Sequence, residues 1–545
     1  MLEAQAHSHL KTLLRQEESD WPHHLTLSRL VGRSIRRGDR TLLRLPPSPG
    51  ERWWLGLLMP LCLQPSSAVL VLTEPQRQRL LQVELPRLRN QGFRLACWSG
   101  STPPPSEQLW LLDHEGLIRA YRSQQLKQRS LLIPDIDQLS CRLRRHLAIR
   151  IDATHWEELR QALPQADPAL LELHDRLTRQ LFHDAARPDA RVRLDGSSVQ
   201  NLRDLLGVMG PLPSPWAAFL TTNINQWASW AELDHRLLQW RWCLEPLEPL
   251  ELLPGLLCDN PTLMLSQTGE TSRLDRELLD AESTPDVTAS LREAELVEPL
   301  PLFAPRRQPL PNTEIYAQHL LGQCRRLVLG RTGLTIVLLD DPALRRTLTA
   351  GLAAEFGLRV QEQSTTPEAN GVISSSWSWW LQHQEHLPEP DQLIVGLLPI
   401  ASLSDPLTAA RVERLKRLGN DWFRTLLLPE ALRLIPAALA PLRRSGGRLA
   451  ILDGRIRGRS WGDQILQRLE PWQPLQRLLP DSKANRGRLL RVIRLQRIRW
   501  EKPDVALPWA YHPVSPSRIP RVLIRPRGLC RGFRSQKIRP SSSWR

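Results

Sequence analysis

LIVGLLPIASLSDPLTAARVERLKRLGNDWFRTLLLPEALRLI, from Leu393 to Ile435, is the stretch that decides the fold. It opens on a short apolar run, the length of a buried strand rather than a helix, predicted over Gln392–Leu397. A loop with Asp405-Pro406-Leu407 follows, then a basic helix near Thr408–Leu418, a second helix near Glu430–Leu442 and a strand at Arg448–Leu452. Strands that alternate with helices imply parallel pairing, because a parallel neighbour is reached only through a long crossover.

Outward from that stretch the same rhythm holds. Leu334–Leu339 reads as a buried strand, Asp341-Pro342 starts a helix carrying Leu344, Leu348 and Leu352, Gly357 ends it, and Leu358–Gln361 is the next strand. Further back, Gln267–Pro311 is polar and proline-rich and reads as a connector between lobes. Before it, residues 1 to 40 look helical and basic. Strands are predicted at Thr41–Leu45, Ala68–Thr73, Phe93–Trp98, Gln108–Leu112 and Ser130–Ile133. Residues 151 to 235 lack strand signals and read as a helical insert, and no repeat of fixed period is found. The expectation is an α/β chain of two lobes with parallel sheets: 1–310 with a helical insert at about 151–235, 311–504, and a basic tail at 505–545.

The chain has 545 residues and a formal net charge of +16. Nine of its basic residues, and no acidic one, lie between Val505 and Arg545, so the tail carries much of the excess. Such an imbalance points to a polyanionic partner. There are only six lysines, Lys11, Lys127, Lys416, Lys483, Lys502 and Lys537, so arginine supplies nearly all the positive charge. The seven cysteines, Cys62, Cys97, Cys141, Cys243, Cys258, Cys324 and Cys530, are scattered and never form a C-x-x-C pair, which speaks against disulfides, a zinc site or a redox motif. The apolar run Trp53–Leu63 is short of the roughly 20 residues that span a bilayer, and the N-terminus shows no secretory pattern. A cytoplasmic protein with no membrane partner is the expectation.

The second half resembles the C-terminal lobe of DinG-type (XPD-like) DNA helicases of superfamily two. Four ordered elements carry the likeness: Leu398-Pro399-Ile400 for the strand that ends in Leu-Pro-Phe, Asp405-Pro406-Leu407, the basic helix Ala409–Leu418, and Leu428–Ala431 for Leu-Pro-Glu-Ala. The following GGRLAILDGRI is similar to the strand after the arginine motif. Upstream, AVLVLTEPQRQRLL, SLLIPDIDQL, Trp230-Ala231-Glu232 and PTLMLSQTG, with Ser266-Gln267-Thr268 at the Ser-Ala-Thr motif, follow in the family's order. The resemblance implies two RecA-like lobes, ATP hydrolysis with magnesium, and DNA.

The positions that would carry this chemistry are degenerate. A phosphate loop needs backbone N–H groups, a lysine and a hydroxyl for magnesium, yet the sequence has no Gly-Lys pair. In its place stands Leu45-Pro-Pro-Ser-Pro-Gly50-Glu51-Arg52, where Ser48, Gly50 and Arg52 are the nucleotide-binding candidates, Glu51 takes the lysine's position, and three prolines remove N–H donors. In the acidic box Asp135 matches the first carboxylate, Ile136 replaces the second, and Asp137 is expected to face solvent. In the arginine motif Pro436 and Ala440 replace the glutamine and the finger, which leaves Arg443. Asp135 and Arg443 are the catalytic candidates. Between the phosphate loop and the acidic box only Cys62 and Cys97 occur, too few for the family's iron–sulfur cluster. No cofactor is expected, with ATP and magnesium entering only if the family activity survives, and no metal ligands are assigned.

Trp53-Trp54, Trp240, Trp242, Trp377, Trp379 and Trp380 are open to two readings, stacking on unpaired bases or filling cores. In the tail, Arg525, Arg527, Arg531 and Arg534 are the nucleic-acid-binding candidates, with single-stranded DNA as the expected partner. The sequence thus leads to a DinG-like helicase-family protein that binds nucleic acid with weak or lost ATP hydrolysis. The alternatives are a non-enzymatic adaptor that binds a protein partner through the helicase fold, and an active helicase with diverged motifs.

Overall fold

The structure, a computed structural model, describes residues 2–17, 21–46, 51–105, 107–183, 191–194, 196–267, 272–280, 282–291 and 298–475. In chain order its strands are β1 (Thr41–Arg44), β2 (Ala68–Val71), β3 (Cys97–Trp98), β4 (Leu109–Leu112) and β5 (Ser130–Ile133), then β6 (Ile149–Ile151), β7 (Arg191–Arg193), β8 (Trp227–Asp234) and β9 (Gln239–Pro246). They continue with β10 (Thr262–Ser266), β11 (Val287–Ser290), β12 (Leu300–Phe303), β13 (Thr335–Leu338), β14 (Val360–Glu362), β15 (Val372–Ser375), β16 (Gln392–Val395), β17 (Arg448–Ile451) and β18 (Trp472–Pro474).

Two seven-stranded sheets result, ordered β11-β1-β10-β5-β2-β4-β3 and β14-β15-β13-β16-β17-β12-β18. Both are parallel throughout. This is the α/β architecture of two parallel-sheet lobes, as expected. Ranked by position within its own lobe, each sheet has the order seventh, first, sixth, fifth, second, fourth, third. The two lobes share one topology.

Alternation along the strands places the cores. Leu43, Leu70, Leu111, Leu132, Leu263 and Leu265 meet the Leu2–Glu17, His24–Arg37 and Trp54–Leu63 helices on one face of the first sheet. Leu42, Val69, Trp110, Leu131 and Met264 meet the helices at His114–Arg122 and Ile136–Leu147 on the other. With apolar side chains on both faces a strand reads as a continuous apolar run, as TLL, AVLV and LWLL do. The Trp54–Leu63 helix carries no charged residue because it is covered all round, and a Cβ on Gly56 would come within 2.7 Å of Leu27 Cδ2. In the second lobe Ile336, Leu338, Leu393, Val395 and Leu449 pack under the Leu428–Ser445 helix, and Val337, Leu339, Ile394 and Ala450 under the Tyr316–Val328 and Pro342–Phe356 helices.

The described stretch Phe423–Ser445 is long and apolar enough, by length and composition, to cross a bilayer. Here Leu428, Leu432, Ile435, Ala438, Leu439 and Leu442 are buried against the second sheet.

The structure departs from the sequence reading at two boundaries. β12 pairs with β17 and β18, so the second sheet already begins at Leu300, ahead of the expected break near 310. The region 151–235, expected to be a helical insert, contains helices together with β7 and β8, which join β6 and β9 at and beyond its ends in a four-stranded antiparallel sheet, β6-β9-β8-β7. In β9 the sequence QWRWCLEP does alternate, but its inward residues Trp240, Trp242 and Leu244 join Trp156, Trp216 and Phe219 in a separate core.

Candidate functional site

In open parallel sheets ligands bind beyond the carboxyl ends of the strands, so the candidate residues are judged by whether they reach that edge. In the first lobe the loop after β1 does. Ser48 and Gly50 lie outside the described residues. Arg52 is exposed. Glu51, at the position of the phosphate-loop lysine, turns into the protein: its Oε1 accepts from Gln76 Nε2 at 2.7 Å and its Oε2 from Trp54 Nε1 at 3.1 Å. Its backbone φ of 49° is the left-handed conformation that costs a side-chain-bearing residue energy, and these two bonds hold it there. Gln76 in turn closes the capping box of the next helix, accepting from Thr73 N at 3.0 Å. Glu51, where the chain leaves that loop, is thereby tied to its own lobe through a carboxylate.

At the end of β5, Asp135 receives Arg142 Nη2 at 2.5 Å, a cation from about two turns further along the helix that Asp135 precedes. Ile136 is buried. Asp137, expected to face solvent, lies instead on the first turn of the Ile136–Leu147 helix. It accepts from Ser266 Oγ at 2.9 Å and Gln267 N at 2.7 Å, tying the end of β10 to the acidic box. Helix geometry is the reason: an extended chain would have turned Asp137 away, but the helix begins at Ile136. The only lysines before residue 416, Lys11 and Lys127, do not follow a strand and a glycine turn. The described residues thus do not fit a nucleotide with magnesium at this edge, and no step is routed through it.

In the second lobe Arg443 sits in the last turn of the Leu428–Ser445 helix, which has run back to the start of β17. Next to it Ser445 Oγ donates to Pro390 O, just ahead of β16. Arg443 donates to Leu469 O at 2.5 Å and Pro471 O at 3.5 Å. It is at the amino end of the strands, the edge away from a ligand. The carboxyl edge is organised by Asp453, which is fully buried and accepts from Leu398 N at 2.9 Å and from the Arg455 guanidinium at 2.6 Å. Tyr316 OH donates to Gly396 O and pins the next helix to this edge. Burial pushes that phenol up from its ordinary value. None of these was singled out from the sequence, although the LDGRI that carries Asp453 and Arg455 was part of the quoted resemblance.

The tail arginines Arg525, Arg527, Arg531 and Arg534 lie outside the described residues. Trp53, Trp54, Trp242, Trp377 and Trp380 fill cores. Burial pushes the Cys62 and Cys97 thiols up to about 12 and about 11, the opposite of what metal-binding thiolates need. Among the described residues no group of three or more His, Cys, Asp or Glu is placed to hold a metal ion.

The insert crosses to the second lobe. Arg193 in β7 forks onto Glu413 at 2.7 and 2.9 Å, and Arg191 reaches Asp405 at 3.2 Å. From the opposite side Arg414 and Arg411 of the Pro406–Arg417 helix pair with Glu251 at 2.5 Å and Glu248 at 3.7 Å. Between them Trp230, Cys243 and Leu247 form an apolar seam with Leu407 and Ala410.

Two lobes of this topology, with a further unit inserted between the acidic box and the last strands of the first, define a helicase-like fold of the XPD type. Accordingly the chain is similar to the solved structure of Xpd4 from S. tokodaii, with a TM-score of 0.53 and 11% identity over 82% of this chain and 98% of that one. An XPD helicase matches with a TM-score of 0.53 and 11% identity over 84% of this chain and 99% of that one. In sequence it is similar to the ATP-dependent DNA helicase YoaA of Escherichia coli (strain K12), 26% identical over 179 residues. That alignment covers 30% of this chain and only 28% of YoaA. No protein-family profile matches. Fold and sequence together establish a relationship to the XPD/DinG-like helicases of superfamily two.

Proposed function

We propose that this chain is a nucleic-acid-binding protein on a helicase scaffold whose ATP hydrolysis is weak or lost. The observation that carries the reading is Glu51, a carboxylate bonded to Trp54 and Gln76 where phosphate would need a cation. Ile136 and Ala440 support it independently, since neither can orient water or stabilise charge on a transferred phosphoryl group. Nucleic-acid binding is supported by the +16 charge, its concentration in the tail, and the relationship to proteins named as DNA helicases. Binding to single-stranded DNA should therefore be strongly salt-dependent, because each neutralised phosphate releases counterions.

The test is titration of labelled single-stranded DNA with and without ATP and magnesium, beside a phosphate-release assay at saturating ATP and DNA. Salt-sensitive binding that ATP leaves unchanged, with phosphate release at background, is the expected result. Robust release that Asp135→Ala abolishes would restore an active helicase. Absence of DNA binding at low salt would favour the adaptor.

A further inference from the structure

Because the two sheets share one strand order, β12 holds in the second lobe the place that β1 holds in the first. The loop between β12 and the Tyr316–Val328 helix is then the counterpart of the failed phosphate loop, and its chemistry is reversed. It lines an open cleft of about 570 Å³ with Arg306 and Arg307, faced by Arg457 from the segment after β17. All three are exposed, and none of their guanidinium groups has a hydrogen-bond or ion-pair partner among the described residues.

The cleft also holds polar atoms that lack partners. Gln308 Nε2 donates to Pro305 O at 3.0 Å and Ile451 O at 3.1 Å, which fixes the amide and leaves Oε1 buried with no donor. His319 Nε2 is likewise buried without a partner, and burial, helped by the charge of Arg326, holds this imidazole below its ordinary pKa and neutral at pH 7. Gly454 lets the two loops close on each other, since a Cβ there would lie 2.5 Å from Pro309 O and 2.7 Å from Gln308 O.

We propose that this cleft binds the phosphates of a nucleotide, either free or within a single strand, without a metal ion. Three unpaired guanidiniums offer forked donors matched to phosphate oxygens, and the N-terminus of a thirteen-residue helix adds its dipole. Gln308 Oε1 repels a phosphate but accepts from a ribose hydroxyl or a base amino group, so the sugar or base lies beside it. Magnesium has no ligand here: Asp453 is committed to Leu398 and Arg455, and Glu314 does not line the cleft. The site's residues are distinct in sequence from the tail arginines and from the phosphate-loop candidates. It does not depend on the reading above, because a free nucleotide would satisfy it.

The test uses the full chain in low salt with EDTA and two fluorescent probes, mant-ADP and a labelled fifteen-nucleotide oligo-dT, with pyrophosphate as competitor. At least one probe binds, and Arg306→Glu/Arg307→Glu weakens it at least about tenfold, as does Arg457→Glu. Gln308→Ala weakens mant-ADP, whose adenine carries an amino group, but leaves pyrophosphate competition unchanged. Loss confined to mant-ADP identifies a free nucleotide, and loss confined to oligo-dT identifies a strand. These are surface changes, and an unaltered melting temperature shows that the variants are folded. Failure of both probes to bind the wild type, or equal binding by wild type and folded variants, overturns the proposal.

Discussion

Replacing Glu51 by lysine restores the residue type a phosphate loop requires, and the structure says it should damage the protein without restoring turnover. The carboxylate accepts two hydrogen bonds, from Gln76 Nε2 at 2.7 Å and Trp54 Nε1 at 3.1 Å. A lysine would set an ammonium donor against two donors. Bonds to a charged acceptor are worth about 1.5–3 kcal/mol each. Because Glu51 is only partly buried, about 2–4 kcal/mol for the pair is the working figure. At about 2–4 °C per kcal/mol for a lobe of this size, the melting temperature should fall by roughly 5–15 °C. Glu51→Gln keeps one acceptor oxygen and should lose about half as much. Phosphate release with ATP, magnesium and DNA should stay at background, because Ile136 and Ala440 remain. Thermal unfolding followed by circular dichroism, beside the phosphate assay, checks both limbs. A Glu51→Lys protein that melts with the wild type, or that gains DNA-stimulated hydrolysis, would refute the reasoning.

Three further outcomes are expected. Asp137→Ala removes the acceptor shared by Ser266 and Gln267 and should cost about 2–4 kcal/mol by denaturant unfolding, whereas an Asp137 facing solvent would cost almost nothing. His114 is held at about 3, chiefly by burial and then by Arg142 and His146. Its folded pKa lies below the unfolded value near 6.5, so the unfolded chain binds the proton first. The stability it confers is present above pH 6.5 and drains away by about 1.4 kcal/mol per unit as pH falls toward 3; His114→Phe should flatten that slope in melts taken from pH 7 to pH 4. A double-mutant cycle of Arg193→Ala and Glu413→Ala should give a coupling of no more than about 1 kcal/mol that shrinks with salt, because both side chains are about half exposed.

The sheets were legible where strands are apolar on both faces. LLI at β5, TIVL at β13 and LIV within β16 announce themselves, and the helices between them supply the crossovers. β15 was missed because VISS ends in two serines, Ser374 and Ser375, that are fully buried yet look like loop. β12 was hidden by prolines on either side of LF, tolerable because only four residues are needed to pair with β17 and β18. The duplication of the lobes left no trace in the sequence, since topology repeats without residue identity. At the candidate site the losses were readable, Glu51, Ile136 and Ala440 among them, but their consequences were not. That Asp137 faces inward depends on where a helix begins, and that Arg443 lies at the wrong edge depends on how far another runs. The arginine pair Arg306-Arg307 was in plain view, but as part of a proline-rich connector it carried no signal until β17 brought Arg457 opposite.

The clasp between the insert and the Pro406–Arg417 helix bears on mechanics. Here Arg191 and Arg193 of the insert, and Glu248 and Glu251 at the turn by which the chain re-enters the first lobe, make two pairs of arginine–carboxylate contacts to the second lobe with an apolar washer between them. The lobes are then joined at two places, the covalent connector and this strut, and a body braced at two points resists hinging about either. Any hinging of one lobe against the other would have to break the strut. The arrangement is that of a bracket set across the two lobes, with charge at its ends and apolar packing at its middle.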